Sequence, residues 1–442
     1  MGLGRPDLKK IISQRTMARN VRPENDGKEV HLLGWVHEIR DLGKLVFILL
    51  RDSSGICQVA IRKSEVDENT KRVLEEIGLE SVLYVNGRVS AEPKARLGVE
   101  VKASRLAILS RAAKQIPYDV TGKVSAGMET RLRHRILDLR KPENRAVFTL
   151  ASSVNKAIRD FFHEHGFTEV RTSRIIGTAT EGGAALFEVR YFDRTAYLAQ
   201  SPQLYKEELT TVFERVFEMG PFFRAEESHT RRHISEFTSV DIEIAFADMD
   251  DVMRFLEELI VYVYRWIERN NSEELKSLDV RLKIPSLPFP RYTYEQLLDE
   301  LNGLGQPLEW GEDFGTPHLR ALAKKHTSYY FITDFPTRIK PFYIQPRSDK
   351  PEISESFDLM YQWLELASGG TRIWEKELLM RRLEEQGLNP ESFKYHLEVY
   401  DYGMPIHAGW GLGFERLMMV ITRRTNIRET ILFPRDRFRL HP

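Results

Sequence analysis

The sequence predicts an α+β protein with a small β-barrel near its N-terminus and a larger domain of sheet and helices after it. Three observations lead to this prediction. Short strands with alternating apolar residues crowd residues 21–110, a turn-rich connector occupies 111–140, and amphipathic helices alternate with strands over 141–442. The 442 residues suffice for two or three domains, and 42% hydrophobic with 29% charged residues is the composition of an ordinary globular protein.

The charge balance and the single cysteine exclude several classes of protein. Lys plus Arg and Asp plus Glu number 65 each, so local patches, not a global field, would have to bind a polyanion. No apolar run approaches the roughly 18 residues of a membrane helix. Arg5, Lys9 and Lys10 precede no long apolar segment, so we expect a cytoplasmic protein without a membrane partner. Cys57 stands alone, which excludes an internal disulfide and a zinc site built on paired cysteines.

The N-terminal part predicts a tail followed by a barrel. Residues 1–20 are polar and basic, which favours a solvated tail over a loosely helical lead-in. One helix, about Asp67–Ile77, separates the third and fourth of five short strands, which are VHLLGWVHEI, KLVFILLRD, ICQVAIR, SVLYVNGRVSA and GVEVKASRLAIL. Five strands and one helix within roughly a hundred residues are typical of a closed barrel of the oligonucleotide-binding (OB) type.

Barrels of this type bind single-stranded nucleic acid by stacking bases on aromatic side chains in a basic groove. The groove candidates lie on the first three strands and are Trp35, His37, Arg40, Phe47, Arg51 and Gln58. Trp35 and Phe47 are also compatible with a place in the core. The arginines of the connector either contact a phosphate backbone or stabilise a helix start; they are Arg131, Arg133, Arg135 and Arg140.

The larger domain opens with a helix over about 143–165, in which apolar residues recur every three or four positions before Gly166 ends it. The loop TATEGGAALFEV carries Gly182 and Gly183 beside Glu181, which suits either a flap over a ligand or an ordinary turn. The stretch QSPQLYKEEL then predicts a helix whose Lys206 either binds a carboxylate or faces water.

The stretch from Val212 to Phe246 predicts two strands joined by a charged loop. Because side chains alternate along the second strand, one face is apolar and the other, here called the polar face, carries Phe237, Ser239, Asp241 and Glu243. The guanidinium of Arg224, beside Glu226, suits a phosphate or carboxylate, and Arg232 and His233 lie within reach of a neighbouring anion. The alternative is a cross-strand ladder of salt bridges on a solvated face.

Two further stretches carry candidate chemistry. An apolar strand in FDLMYQWLELASGGTR ends at Glu365, and buried carboxylates are rarely left unpaired, so we expect a metal ion or an arginine partner there. In GWGLGFER three glycines precede a helix with Arg416 in its first turn, which lets backbone approach a flat ligand while the arginine reaches its phosphates. Between these motifs and the hairpin, the Pro-rich residues 272–350 predict an irregular insertion with helix-like pieces.

Taken in order, these pieces resemble the class II aminoacyl-tRNA synthetases of subclass b, most closely the archaeal-type aspartyl-tRNA synthetases. The resemblance covers about residues 27–442 and rests on successive motifs, which are TATEGGA, QSPQLYK, FRAE, RRH, SVDIE, ELASGGTR, GLGFER and FPRD. It implies an OB-fold anticodon-binding domain, an antiparallel catalytic sheet flanked by helices, and a homodimer. The implied activity is ATP-dependent, Mg²⁺-assisted ligation of L-aspartate to tRNA(Asp) through an aspartyl-adenylate.

The resemblance also implies roles for individual residues. The catalytic residues would be Arg224 on the α-phosphate of ATP, Arg416 on the adenine and γ-phosphate, and Glu365, which with Ser368 would hold Mg²⁺. The other ATP-binding residues would be Glu226, Arg232, His233, Ile234, Gly413, Phe414 and Glu415. The aspartate-binding residues would be Glu181, Gln200, Ser201, Pro202, Gln203, Lys206, Arg224, Asp241, Ser368 and Arg372. The anticodon-binding residues would be the six groove candidates and Arg96.

Lys206 and Arg372 decide between aspartate and asparagine. A primary amide cannot satisfy both cations, and a buried cation would be left unpaired. Related asparaginyl enzymes carry a non-basic residue in place of Lys206 and a Leu-Glu pair in place of Val240-Asp241, so the resemblance favours aspartate. An asparaginyl enzyme and a non-catalytic nucleotide- or tRNA-binding paralogue stay as alternatives. His37 stands where enzymes selective for tRNA(Asp) tend to carry Trp, which predicts relaxed selection that includes tRNA(Asn).

Overall fold

The computed structural model describes residues 5–95, 97–112, 116–177, 186–227 and 230–441. Contacts divide the chain into two compact units, Met1–Lys141 and Pro142–Pro442, so the connector belongs with the barrel. Within the described ranges, no helix is both long enough and apolar enough to cross a membrane.

The described residues of the first unit contain five strands: β1 (Glu29–Asp41), β2 (Leu45–Asp52), β3 (Gly55–Arg62), β4 (Val82–Ala91) and β5 (Val99–Ser110). They close into a barrel in the order β1-β2-β3-β5-β4, and Val46, Ile48 and Leu50 alternate into its interior. The helices of this unit are α1 (Arg5–Ser13), α2 (Glu68–Glu76), α3 (Met128–Arg133) and α4 (Arg135–Asp138). Helix α2 begins where the Asp67 side chain accepts the Thr70 amide, and the barrel confirms the OB-type prediction.

The N-terminal segment and the connector are more ordered than the sequence indicated. Helix α1 buries Ile11 to 7% exposure, and Arg15 donates to the Leu33 carbonyl at 2.9 Å, so the predicted solvated tail is wrong for the described part of residues 1–20. Its nine residues hold too few apolar side chains to signal a packed helix. In the connector, Arg131 and Arg135 pair with the buried Asp138 at 3.0 and 2.8 Å, which is the helix-stabilising alternative.

The second unit contains eleven strands and nine helices among its described residues. The strands are β6 (Thr168–Glu169), β7 (Ile175–Ile176), β8 (Glu188–Tyr191), β9 (Arg194–Leu198), β10 (Arg215–Phe223), β11 (Glu236–Ala245), β12 (Arg291–Thr293), β13 (Tyr329–Thr333), β14 (Ser356–Tyr361), β15 (Leu364–Thr371) and β16 (His407–Gly413). The helices are α5 (Pro142–Glu164), α6 (Gln203–Phe213), α7 (Met249–Asn270), α8 (Ser272–Ser277), α9 (Tyr294–Gly303), α10 (Thr316–Leu322), α11 (Lys376–Glu385), α12 (Lys394–Tyr400) and α13 (Phe414–Thr422).

An eight-stranded sheet organises this unit in the order β12-β13-β14-β15-β16-β11-β10-β6. The six inner strands are antiparallel, which agrees with the antiparallel sheet that the resemblance implied, but the edge strands β12 and β6 pair parallel to their neighbours. The α+β fold class is therefore confirmed, with a mixed sheet. Strands β7, β9 and β8 form a separate small sheet.

Residues 272–350 differ from the predicted irregular insertion because they supply β12 and β13 to the central sheet. Strand β13 is buried along its whole length, at Tyr329–Thr333. These strands have three and five residues and stand among prolines, so the sequence offered no alternation long enough to reveal them.

The hairpin β10–β11 places its two faces as predicted, although Val212 and Phe213 end α6 instead of beginning the first strand. Val240, Ile242 and Ile244 join the core beneath α5 and α7, so Asp241 and Glu243 point to the opposite face. A Cβ at Gly409 on the neighbouring strand β16 would collide with the Glu243 carboxylate. A glycine is thus required there to leave room for a buried charge.

Candidate active site

A cavity of about 410 Å³ lies over the polar face of the central sheet, the face that carries Ser239 and Asp241. Its walls come from the β10–β11 hairpin, β15, β16 and the segments that begin α6 and α13. The sequence-predicted residues that line it are Gln200, Ser201, Gln203, Arg224, Glu226, Arg232, His233, Ile234, Asp241, Glu365, Ser368, Arg372, Gly413, Glu415 and Arg416. Residues separated by more than two hundred positions therefore meet in one pocket, although their individual roles stay predictions.

Three predicted site residues do not line the cavity, and two more fall outside the described residues. Pro202 immediately precedes α6 and Lys206 lies behind the pocket wall. Phe414 packs into the hydrophobic core, so its side chain faces away from the cavity. Glu181 and its glycine-rich loop fall outside the described residues, as does Arg96 in the first unit.

One end of the cavity is rich in cations. Arg416 donates to the Glu365 carbonyl at 2.9 Å and lies 3.5 Å from its carboxylate, so Arg416 is the arginine partner expected for Glu365. Burial would raise the pKa of Glu365, but Arg416, Lys340, Arg224 and Arg232 outweigh it and lower that pKa. Burial, reinforced by Arg416, also lowers the pKa of Arg232. An anion bound among these guanidinium groups would relieve their mutual repulsion.

The same end holds a candidate metal site that the sequence revealed only in part. Asp358 on β14 stands directly opposite Ser368 on β15, and Lys340 Nζ lies 3.0 and 3.1 Å from its two carboxylate oxygens. Burial raises the pKa of Asp358, and the nearby Glu365 adds to this effect. The described residues contain no group of three His, Cys, Asp or Glu side chains suited to a metal.

Two carboxylates and a hydroxyl nevertheless fit Mg²⁺, which usually takes one or two carboxylates and completes its shell with water and phosphate oxygens. A divalent cation would also offset the repulsion between Asp358 and Glu365. The signal for Asp358 was an aspartate inside the apolar run FDLMY, where strands rarely carry one. For Lys340 the sequence held no signal.

At the other end of the cavity lie two buried cations and two buried carboxylates, of which Arg372 and Asp241 line the cavity while Lys206 and Glu243 do not. Lys206 Nζ lies 3.0 Å from Asp241 Oδ1 and 3.4 Å from Glu243 Oε2. Arg372 Nε and Nη2 donate to Glu243 at 2.8 and 3.3 Å. The partners come from α6 and from the residue after β15, so these charges do not form the cross-strand ladder that was the alternative. Strand alternation predicted that Glu243 lies on this face but assigned it no role. In the structure Glu243 pairs with both Lys206 and Arg372.

One carboxylate oxygen of Asp241 is available to accept a hydrogen bond from a ligand. Oδ1 of Asp241 accepts a hydrogen bond from Lys206 Nζ, while the buried Oδ2 has no hydrogen-bond partner among the residues that the structure describes. A buried acceptor without a donor is costly, at about 1–3 kcal/mol. Since Asp241 lines the cavity, a ligand bearing an ammonium group would satisfy it.

A second layer of buried charge lies behind this end. Gln203 Nε2 donates to Glu207 Oε1 at 2.6 Å, and the Nε2 atoms of His396 and His407 lie 3.5 and 3.7 Å from Glu207 Oε2. His396 Nδ1 also meets Glu208 Oε1 at 2.9 Å. Burial opposes the charged imidazolium of His396, but Glu207 and Glu208 outweigh burial and raise its pKa to about 9.

We expect this pKa to be measurable. Histidine-selective ¹³C NMR, with His396→Gln to assign the signal, should show one imidazole with a midpoint near pH 9. Because this folded-state pKa exceeds the ordinary value of 6.5, the pair stabilises the fold fully below pH 6.5 and less as pH rises through about 9. A midpoint at or below 6.5 would contradict the buried ion pair.

At the start of α13, Glu415 lines the cavity and also contacts the β10–β11 hairpin. Both of its carboxylate oxygens accept the Thr238 amide, at 3.1 and 3.0 Å, which ties α13 to the hairpin. Burial raises the pKa of Glu415 to about 7. This contact holds Arg416, one residue later, against the cation-rich end.

The barrel brings its predicted candidates to one face. Trp35 stands opposite Arg51, Arg40 opposite Phe47, and Gln58 opposite Leu49, all on the side away from the barrel interior. Trp35 is 37% exposed, so it lies on the surface and not in the core. Arg40 is exposed, but Arg51 is only 5% exposed and pairs with Glu80, so the predicted groove contact of Arg51 is not presented at the surface. This face therefore presents Trp35 together with Arg40, an aromatic ring beside a basic group, as nucleic-acid binding requires.

His37 lies beneath that face at 6% exposure, at a bulge between Val36 and Glu38. Its Nδ1 is 3.1 Å from Arg51 Nη1, and Arg51 binds Glu80 through both terminal nitrogens at 3.0 and 2.7 Å. A guanidinium only donates, so Nδ1 must accept. His37 thus orients Arg51 and contacts solvent very little.

The cavity suits two ligands. One end holds several cations and the two carboxylates that could bind a metal, and the other holds paired charges and the Asp241 oxygen that lacks a donor. The first would be a polyphosphate. The second would be a small molecule that carries both carboxylate and ammonium groups.

Comparisons with known proteins agree with this division of the molecule. A sequence model described as tRNA synthetases class II (D, K and N) matches residues 127–437, and one described as OB-fold nucleic acid binding domain matches residues 30–109. The aspartate–tRNA(Asp/Asn) ligase of Methanopyrus kandleri is 51% identical over 96% of this chain and 98% of its own. The aspartate–tRNA(Asp) ligase of Pyrococcus abyssi is 46% identical over 96% and 98%.

Solved structures give the same picture. The asparaginyl-tRNA synthetase of Pyrococcus horikoshii, complexed with asparaginyl-adenylate, superposes with a TM-score of 0.92 at 33% identity, covering 97% of this chain and 99% of that one. The aspartyl-tRNA synthetase of Entamoeba histolytica superposes with a TM-score of 0.88 at 30% identity, covering 100% and 96%.

Proposed function

The chain belongs to the class II tRNA synthetases of the D, K and N group, and from this premise we propose that it ligates L-aspartate to tRNA through an aspartyl-adenylate, with ATP as co-substrate. The observation that carries the proposal is the buried group Lys206, Asp241, Glu243 and Arg372 at one end of the cavity. It offers cations for a side-chain carboxylate and an unpartnered Asp241 oxygen for an α-ammonium group. The names of the curated relatives support the same amino acid.

The first step needs no general base. The α-carboxylate of aspartate is already ionised, so the protein has to hold two mutually repelling anions in line and offset the charge on phosphorus. Arg224 would grip the α-phosphate, Arg232 and His233 would hold the outer phosphates, and Arg416 would contact adenine and the γ-phosphate. Pyrophosphate leaves, and the terminal adenosine of tRNA then takes the aspartyl group.

Asp358, Glu365 and Ser368 would hold Mg²⁺, which would supply positive charge to the phosphates when bound. Lys340 already pairs with Asp358 at 3.0 Å, so this carboxylate is neutralised before any ligand arrives.

Recognition of the aspartate side chain would fall to Arg372 and Lys206. Glu243 accepts one hydrogen each from Nε and Nη2 of Arg372, so the two hydrogens of Nη1 and the second hydrogen of Nη2 would be the donors to the substrate carboxylate. An amide side chain would place an N–H group against one of the two cations, which is why asparagine is the weaker substrate. Because asparaginyl-tRNA synthetases are among the similar solved structures, the alternative is that this chain ligates asparagine. Charging of tRNA with labelled asparagine tests this alternative directly.

A non-catalytic paralogue is the alternative from another functional class. Such a protein would be expected to lack one of Arg224, Glu365, Ser368 or Arg416. All four line the cavity of this chain.

We further propose that the barrel binds the anticodon of tRNA(Asp) and of tRNA(Asn). Trp35, Arg40, Phe47 and Gln58 would contact bases or backbone, while His37 would act by orienting Arg51. Aspartate should be attached to both purified tRNAs, with efficiencies within about tenfold of each other. Aspartate on tRNA(Asp) alone would refute relaxed selection and leave the catalytic proposal intact.

By family resemblance we also propose that the protein is a homodimer. We place it in the cytoplasm, because charged tRNA is used there in translation. Light scattering coupled to gel filtration should give about twice the 51.5 kDa chain mass. A monomer mass would contradict the dimer.

A further inference from the structure

The Gln203 side chain stands between the cavity and a fully buried carboxylate. Gln203 lines the cavity at the start of α6, and Glu207 follows one helical turn later, with no exposed surface. Gln203 Nε2 donates to Glu207 Oε1 at 2.6 Å. Residues four apart on a helix lie on the same face, so this contact is built into α6.

The charge of Glu207 decides which way the Gln203 amide points. An ionised carboxylate only accepts hydrogen bonds, so it must receive the amide NH₂ group. The carbonyl oxygen of Gln203 is then turned away from Glu207. If Glu207 were neutral, it could donate to that oxygen, and the amide could point either way.

Three neighbours keep Glu207 ionised. His396, on α12, and His407, on β16, place Nε2 atoms 3.5 and 3.7 Å from Glu207 Oε2. Burial would raise the pKa of Glu207, but these two histidines outweigh it and lower that pKa. Arg372, whose pKa Glu207 helps to raise, is the third neighbour. Glu208 adds negative charge on the far side of His396.

We propose that Glu207, supported by His396 and His407, is a positioning residue that turns the Gln203 carbonyl oxygen toward the α-ammonium group of the amino-acid substrate. The inference rests on the proposed function and extends it by one layer of residues. Recognition of the ammonium group would then combine the Asp241 carboxylate with a Gln203 oxygen whose orientation is set by a charge outside the cavity.

The test compares aspartate with succinate, which has both carboxylates but lacks the ammonium group. Isothermal titration calorimetry of the full-length Glu207→Gln variant should give a Kd for aspartate about tenfold higher than that of the wild type, while the Kd for succinate changes less than twofold. In steady-state activation, KM for aspartate should rise while kcat and KM for ATP stay within twofold. Glu68→Gln is the matched control, because Glu68 is 79% exposed and pairs with Lys71 on the surface of the first unit, so this variant should bind both ligands like the wild type.

Equal weakening of aspartate and succinate would overturn the proposal, because it would indicate general damage to the pocket. Unchanged aspartate binding would overturn it as well. If Glu207→Gln does not fold, His396→Gln gives the same comparison, with a smaller but equally selective loss expected. A wild-type protein that binds asparagine and not aspartate would refute the proposed function alone, and asparagine against succinamate would then test Glu207.

Discussion

Replacing Arg224 by alanine is expected to lower aspartate-dependent ATP–pyrophosphate exchange by about 10²–10³-fold, the loss seen when one donor to a developing charge is removed. Arg224 lines the cavity beside Glu226, and its guanidinium lies 5.3 Å from the centre of the Phe237 ring. The reaction brings a carboxylate against a phosphate, so each fixed positive charge there counts more in the transition state than in the ground state. The loss should therefore appear mainly in kcat.

Arg254→Ala is the matched control for this experiment. Arg254 lies on α7 with a 63% exposed side chain and pairs with Asp251 on the surface, where such pairs contribute little. Its exchange rate should match the wild type within about twofold. An Arg224→Ala enzyme with unchanged kcat would show that the phosphate site has been assigned to the wrong arginine.

Replacing Lys206 by glutamine should remove the preference for aspartate. We expect kcat/KM for aspartate to fall by about 10²-fold, because a charge-assisted contact of 1.5–3 kcal/mol is lost. The value for asparagine should change less than tenfold. Pyrophosphate exchange with each amino acid measures the ratio.

Stability has to be followed alongside, because removing one partner of a buried pair costs about 3–5 kcal/mol. Circular dichroism should show a folded variant with a lowered melting temperature. Lys156→Gln, at an exposed α5 position paired with Asp160, is the control and should leave both ratio and stability unchanged. Equal losses for aspartate and asparagine would contradict the assignment of Lys206 to side-chain recognition.

Local patterns were sufficient for much of this molecule. Period-two alternation placed Asp241 and Glu243 on one face of β11, and the apolar repeat over 143–165 located α5 within one residue at each end. The five barrel strands and α2 followed from the same kind of pattern. Each of these features depends on residues within a few positions of one another, so the sequence by itself determined them.

The tertiary structure decided which charges meet. Lys206 and Asp241 are 35 positions apart, and Glu243 and Arg372 are 129 apart, so only the packing of α6 on β11 and the pairing of β15 with β16, the neighbour of β11, bring them together. Asp358 became a candidate metal ligand through the register that sets it opposite Ser368. Strands β12 and β13 were too short for their pattern to rise above the surrounding prolines. A sequence records the periodicity of each element, but the contacts between elements depend on register and packing, and these set the partners of the buried charges at the cavity.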